Sequence, residues 1–384
     1  MTISSSKTRL TEAKGATNLN PCSVLSRYGC FSSEHEWQWW QDSGALMARF
    51  LEVCEYDLNE QYGYLFFLRQ VVIPALGPYP PLRRSFLNTA KIGLELSVNY
   101  ENSGHPTFRM TIDPTSADSG NRMDPFNVRT VDKIVDKLAT MKLEGFDTVL
   151  HHRFMDEFII SDKQAETIYN DTTANERITT AMLAFDFKGG NMASRASGTC
   201  IYGMLRRALS RLDDRMANLS ATTLVMEYLE ANNHLHEIVF FAWDLVDDLS
   251  LAKTRDLWTL GGKLTGSDIE KGFELVEQLW NILNMGQRKP WLPFLVNYEI
   301  KPGQDQPIPK LYFPVDDGND LEVAQAIARW FQVLGWHDRA NMYVDNVRYL
   351  HRTSGLQTWV VFSFKETDPY TTIYYHPLAS YPTP

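Results

Sequence analysis

Two neighbouring segments with strict two-residue alternation constrain this 384-residue chain more than anything else in it. In LELSVNY, Glu95, Ser97 and Asn99 alternate with Leu94, Leu96, Val98 and Tyr100. In FRMTID, Arg109, Thr111 and Asp113 alternate with Phe108, Met110 and Ile112. Successive side chains of a strand point to opposite faces, so each segment predicts one aliphatic or aromatic face and one polar face. As adjacent strands they bring a carboxylate and a guanidinium to the same side of a sheet. Such a sheet needs helices over its apolar side and a wet interior along its polar side.

The remaining pattern extends this architecture. Ser33 and Glu36 fit a capping box ahead of a helix over EWQWWQDSGALMARFLEVC. A second helix, LNEQYGYLFFLRQVVIPAL, stops at Gly77, Pro78, Pro80 and Pro81. Further helices are expected in TVDKIVDKLATM, MLRRALSRLDDRMANLSATTLVMEYLEA, DIEKGFELVEQLWNILN and DLEVAQAIARWFQVLGW. Strands are expected in LAFDF, EIVFFAWDLV, FLVNYEI, PKLYFPV, QTWVVFSFK and YTTIYYH. Strand pairs joined by short turns imply antiparallel neighbours, and closing them into a barrel with helices outside removes the sheet edges. The expected class is α+β, an antiparallel β-barrel surrounded by helices. Residues 1–20 read as a disordered lead-in and 21–384 as a single domain.

Composition narrows the partners. The formal net charge is −10 and no basic run occurs, which argues against nucleic acid. No apolar stretch approaches the roughly 20 residues needed to span a bilayer, and MTISSSKTRLTEAKG lacks a secretory apolar core. Four cysteines without CxxC spacing suit reduced thiols, so a cytoplasmic protein is expected. Aromatic residues make up 12 % of the chain, enough for a large core or for a pocket that takes a planar or cationic guest. Nucleotide-phosphate loops are absent, and His151–His152 and His234-x-His236 lack the companions of a metal site. Asp316-Asp317-Gly318-Asn319-Asp320 carries the letters DDxxD of a magnesium-diphosphate site, but Gly-Asn after a strand favours a turn that caps the next helix. No cofactor and no metal are expected.

Glu95 is the leading candidate for chemistry. A carboxylate on the inner face of a barrel accepts a proton from an aromatic N–H or O–H and makes the ring more nucleophilic. The competing assignment is a structural carboxylate paired with Arg109 or a hydroxyl. Arg109 either clamps an anion or balances Glu95. Lys310 and Tyr312 alternate on one strand, while Trp359 and Tyr374 fall on the inward phase of theirs. A cation and ring hydroxyls suit a diphosphate, and large ring faces suit an allylic cation kept from water.

Several strings resemble the fungal dimethylallyltryptophan synthase type of indole prenyltransferase. They are IPALGPYP, LELSVNY, FRMTIDP with DPFN, WDLVD, DLWTLGG, KLYFPV with DGND and VLGW, and the closing WVVFSFK and YTTIYYHP. Together they run in order from the first helices to near the end of the chain. The resemblance implies a ten-stranded antiparallel barrel of ααββ-type repeats. It also implies transfer of a dimethylallyl group from its diphosphate to an indole, without a catalytic metal. By resemblance, Glu95 holds the indole N–H and Arg109 binds diphosphate. Lys310 replaces the usual glutamine two residues before Tyr312, Trp359 falls where a shielding tyrosine is common, and Tyr374 matches another tyrosine.

This chain also departs from the pattern. Where the family has a strand bearing Lys-x-Tyr, the sequence reads MASRASG, with Arg195 and Ser197 at those positions. After WDLVDD it passes straight to LSLAKTRDLWTLGG, without the family's Arg-x-Lys-x-Tyr strand, and Ala184 stands nearest the family's proton-transfer lysine. The expected barrel therefore has ten strands or fewer. Three functions follow: prenyl transfer from dimethylallyl diphosphate to a tryptophan-derived acceptor, cyclisation or rearrangement of an indole alkaloid without diphosphate, or a non-catalytic relic. The sequence leaves a homodimer open.

Overall fold

The computed structural model describes residues 20–81, 85, 87, 92–102, 104–141, 166, 169–170, 181–188, 191–198, 219–232, 250–300, 304–348, 355–365 and 368–376. The expected lead-in up to residue 19, the EIVFFAWDLV segment and all four histidines singled out above lie outside these residues.

Three helices open the chain: α1 (Pro21–Tyr28), α2 (Glu34–Val53) and α3 (Leu58–Phe67). Ser33 caps α2 by accepting from the Glu36 N–H at 3.2 Å, while the Glu36 carboxylate reaches back to the Ser32 N–H at 2.8 Å. A reciprocal box is found instead at α3, between Asp57 and Glu60. The second helix was expected to run unbroken to Leu76. It changes at Leu68 into a π turn (Leu68–Val72) and then a single 3₁₀ turn (Ile73–Ala75). Pro74 is the cause, because it has no N–H for the Gln70 carbonyl. The Lys137 ammonium donates to that carbonyl in its place.

Eight strands form one antiparallel sheet among the described residues. They are β1 (Leu94–Glu101), β2 (Thr107–Ile112), β3 (Ala181–Lys188), β4 (Asn191–Gly198), β5 (Leu295–Glu299), β6 (Ile308–Pro314), β7 (Gln357–Lys365) and β8 (Asp368–Tyr375). Their order is β4-β3-β2-β1-β8-β7-β6-β5. The first and last of the described strands therefore pair at the middle of the sheet, and β4 and β5, outermost among the described strands, flank the stretch that contains EIVFFAWDLV. MASRASG, read above as a departure from the family's strand, is a full strand paired with β3 over eight residues. Its small and polar letters carry little strand propensity, so the pairing with LAFDF decides its conformation.

Helices cover the apolar face, as the alternation requires. They include α4 (Val128–Thr140), α5 (Leu219–Ala231), α6 (Leu251–Thr259), α7 (Ser267–Ile282), α8 (Asp320–Val333) and α9 (His337–Arg348). None of the described helices is long and apolar enough to cross a membrane. The contacts on this face are largely aromatic. Phe108 of β2 lies between Phe50 of α2 and Phe187 of β3, at centroid distances of 6.0 and 5.5 Å. Trp330 of α8 meets Phe362 of β7 edge-on at 5.3 Å, and Trp258 of α6 stacks on the same ring at 6.0 Å. β1 is buried on both faces from Leu94 to Tyr100, so its polar side is also enclosed.

Phe108 links a helix and two strands with no exposed surface of its own. Phe108→Ala is expected to lower unfolding stability by about 3–5 kcal/mol, read as a shift of the urea midpoint at unchanged slope.

Candidate active site

The strand register aligns the polar-face residues in rows across the sheet. One row runs Glu95–Thr111–Ala184–Arg195. The next runs Trp359–Tyr374–Ser97–Arg109–Asp186. A third runs Tyr312–Val361–Thr372–Asn99, and a fourth Lys310–Ser363–Tyr370–Glu101. Successive rows are about 6.8 Å apart along the strands, twice the rise per residue. The polar face thus has a direction: a carboxyl at one end, aromatic rings and a guanidinium in the middle, and a lysine–tyrosine group at the other end.

Trp359 faces inward in phase with Val361 and Ser363, and an irregularity immediately precedes it. Gln357 pairs with Tyr375 but Trp359 pairs with Tyr374, so Thr358 is an extra residue in β7. The bulge shifts the alternation ahead of Trp359 by one, so Gln357 lies on the helix-covered side although it is only two residues from the inward-facing Trp359. The Trp359 ring then stands edge-on to Tyr374 at 6.0 Å, and Tyr312 lies 5.9 Å from the same tyrosine. The Tyr312 and Tyr374 hydroxyls share a hydrogen bond. Burial pushes the Tyr312 phenol up to about 12, partly offset by that bond and by Arg109, with Glu95 adding to the rise. Tyr374 is raised well above the ordinary range, again chiefly by burial.

Glu95 sits at the carboxyl end with 8 % of its surface exposed. Burial raises its pKa from 4.5 to about 8. Among the described residues nothing donates a hydrogen bond to it. The alternative reading of Glu95 as a structural carboxylate paired with Arg109 is not met, because Arg109 has another partner. Its Nε and Nη2 donate to the two carboxylate oxygens of Asp186, the second bond at 3.0 Å. Burial alone would pull the guanidinium's pKa down, but the hydrogen bonds and charge of Asp186 more than reverse this and hold Arg109 charged. This geometry leaves the Arg109 Nη1 end of the fork for another acceptor.

At the far end two ammonium groups converge on one ring. Lys310 Nζ lies 5.1 Å and Lys365 Nζ 4.9 Å from the centroid of Tyr370. Lys365 is also paired with Glu299 of β5. Arg109 acts electrostatically on both Tyr370 and Tyr374, so it bridges the middle and the cationic end. All expected site residues thus lie on one face, with Arg195 assigned by register alone. Asp186, Tyr370 and Lys365 went unrecognised as site residues. Their signal was present, since each lies on the inward phase of a strand read from the sequence: Asp186 two residues after Ala184, Lys365 six after Trp359, and Tyr370 four before Tyr374. Lys188, two residues after Asp186 on the same strand, is exposed at the end of β3.

The acidic DDxxD run is a turn after β6, as its Gly-Asn suggested. Asn319 caps α8, accepting from the N–H groups of Leu321 and Glu322 at 3.0 and 3.4 Å. Among the described residues no group of three His, Cys, Asp or Glu side chains is arranged to hold a metal.

Comparison with known proteins decides the kinship. The sequence profile described as tryptophan dimethylallyltransferase matches residues 35–346. The chain belongs to this family. Prenyltransferase asqH2 of Emericella nidulans is 44 % identical over 93 % of this chain and 89 % of its own length. Prenyltransferase penG of Penicillium thymicola is 42 % identical over 99 % of this chain and 94 % of its own. The crystal structure of NotF in complex with brevianamide F and DMSPP superposes with a TM-score of 0.84 at 28 % identity, covering 94 % of this chain and all of NotF. AnaPT from Neosartorya fischeri gives 0.83 at 27 % identity. The fold is accordingly the family's antiparallel barrel ringed by helices, and the protein is an aromatic prenyltransferase of the indole-alkaloid type.

The Glu95 shift has a direct consequence for stability. A carboxyl whose pKa is raised on folding stabilises the native state fully below its unfolded value and loses that contribution as pH rises through the folded value. Relative to Glu95→Gln, the ligand-free wild type is expected to lose stability between pH 4.5 and about 8. Urea midpoints at pH 5 and pH 8.5 check this, and parallel curves for the two proteins would refute it.

Proposed function

We propose that the protein transfers the dimethylallyl group of dimethylallyl diphosphate to the ring carbon of a tryptophan-derived acceptor. The observation that carries this reading is the order of groups along the polar face. Glu95 stands at the end suited to an indole N–H. The rings of Trp359, Tyr374 and Tyr312 follow, and Arg109, Tyr370, Lys310 and Lys365 make an end suited to diphosphate. That order matches the sequence of parts in a donor and acceptor set head to tail.

In this mechanism the donor C–O bond breaks and diphosphate departs onto Arg109 and the two lysines, which stabilise the charge that develops there. The allylic cation is held against the aromatic faces, whose quadrupoles favour positive charge and whose bulk excludes water. The acceptor carbon attacks, a C–C bond forms, and the ring proton passes to the departed diphosphate, restoring aromaticity. Glu95 acts through the N–H: as a carboxylate it accepts that hydrogen bond and raises the electron density of the ring. Arg195, taken by resemblance as a stand-in for a diphosphate-binding lysine, falls by register on the Glu95 row, so the anion is assigned to Arg109, Lys310 and Lys365. The same reading makes residues 21–384 one catalytic domain, working in the cytoplasm on two small molecules as a monomer or homodimer. Convergence of Lys310 and Lys365 on Tyr370 favours it over a cyclase that has given up diphosphate.

Two outcomes test this. A thio-analogue of dimethylallyl diphosphate is expected to bind at micromolar Kd by calorimetry, equally to wild type and Glu95→Gln. Arg109→Ala should lower kcat/KM by about 10²–10³, the usual loss for one charge-stabilising donor. Absence of measurable binding to a folded sample would return the cyclase reading. Because kcat/KM reports the free enzyme, its pH profile should rise through about 8 as Glu95 ionises, and Glu95→Gln should lack that limb. A wild-type profile that is flat from pH 6 to 9 would remove Glu95 from the role.

A further inference from the structure

The acidic run Asp316, Asp317 and Asp320 is not accounted for by the chemistry above, yet all three residues engage segments that end on Trp359. Asp317 accepts from Arg288 Nη1 and from the Lys289 backbone N–H, both at 2.7 Å. Asp316 accepts from the Leu292 N–H, its two oxygens lying at 3.2 and 3.4 Å. Together they fasten the loop from Arg288 to Leu292 onto the turn after β6. The next residue of that loop is Pro293, whose carbonyl accepts the Trp359 indole N–H at 3.2 Å.

Asp320 works from the opposite side. Its carboxylate accepts from the Gln357 N–H at 3.3 Å, and its own carbonyl accepts from Gln357 Nε2 at 2.9 Å. Gln357 has no exposed surface and also accepts from the Tyr343 hydroxyl at 3.2 Å. It is the residue at which the β7 bulge begins, so Asp320 holds the strand just before Trp359 in its shifted register. The Val315 N–H closes the arrangement by donating to the Thr358 carbonyl at 2.9 Å. Gly318 is required between them. A Cβ there would lie 2.8 Å from Arg288 Nη1 and 2.6 Å from Val323 Cγ2, so any side chain would push the guanidinium away from Asp317.

We propose that Asp316, Asp317 and Asp320 are positioning residues for prenyl transfer, acting as a brace that locks the Trp359 ring over the allylic cation and so keeps water from capturing it. This deepens the prenyltransferase reading and rests on it. The competing step is fully balanced: the donor C–O bond breaks to release diphosphate, water oxygen bonds to the cation, and loss of one proton gives dimethylallyl alcohol. A loosened indole admits water at the stage when the cation exists.

The test measures the ratio of dimethylallyl alcohol to prenylated acceptor, using dimethylallyl diphosphate and a tryptophan-derived cyclic dipeptide. Asp316→Ala, Asp317→Ala and Gly318→Ala are each expected to raise this ratio about fivefold or more, the low end for one lost buried hydrogen bond. KM for the diphosphate should stay at the wild-type value. An unchanged ratio in folded variants would overturn the brace. A second readout is independent of turnover. In 5-fluorotryptophan-labelled protein the Trp359 ¹⁹F line, assigned by its loss in Trp359→Phe, should shift or broaden in the same three variants. If wild type turns nothing over, the prenyltransferase reading fails, and the ¹⁹F line alone supports or refutes the brace. A Trp359 line identical to wild type in all three refutes it.

Discussion

The pairing of β1 with β8 is the constraint on which the rest of the molecule depends. It aligns Ser97 with Tyr374 and Asn99 with Thr372, residues more than two hundred positions apart in sequence. Thr372 Oγ1 donates to Asn99 Oδ1 at 2.7 Å within this seam. The two strands sit at the centre of the sheet, so Glu95 and Arg109 on one side meet Tyr374 and Tyr370 on the other only because this seam forms. The apolar faces of the same strands carry Val98, Tyr100, Ile373 and Tyr375 into the helical layer. Burial of that face supplies the driving force that holds the polar face together.

Electrostatics in the interior follows from what each charge is given as a partner. Arg109 and Lys365 are each supplied with a carboxylate, Asp186 and Glu299, so neither carries an uncompensated charge in the empty protein. An anion arriving there shares or displaces a carboxylate. Glu95 is treated in the opposite way: among the described residues no donor faces it, and burial raises its pKa to about 8, so it favours the protonated form. The two ends are therefore prepared differently, one by charge pairing and the other by proton uptake.

Strand period two made most of the fold and half of the site legible in the sequence. Glu95, Arg109, Lys310, Tyr312 and Tyr374 all fall where simple alternation puts them. Asp186 and Tyr370 obey the same alternation but look ordinary alone, since an aspartate or tyrosine on a polar face has many uses. Their meaning comes from partners on other strands, which only register reveals. The break at Pro74 was readable in principle, but the run of apolar residues around it masked the lost N–H. MASRASG carries no strand signal of its own, and its conformation is imposed by β3. The bulge at Thr358 reverses alternation across one residue, and nothing in QTWVVFSFK marks it. The reason for DDGND was hidden for a similar cause, as its partners lie on a loop some thirty residues earlier and on a strand some forty residues later.

The central seam also governs when the site comes into being. β8 (Asp368–Tyr375) lies more than two hundred and fifty residues after β1 (Leu94–Glu101) in sequence. During synthesis β1 therefore waits for its neighbour while all of the intervening residues are made. Until then a nascent chain exposes one open edge of β1 and owns neither Tyr370 nor Tyr374. Such late closure makes folding slow and dependent on protection of that edge. It also means that a chain without β8 lacks the ring of Tyr374 that joins Ser97 of β1 to Trp359 of β7.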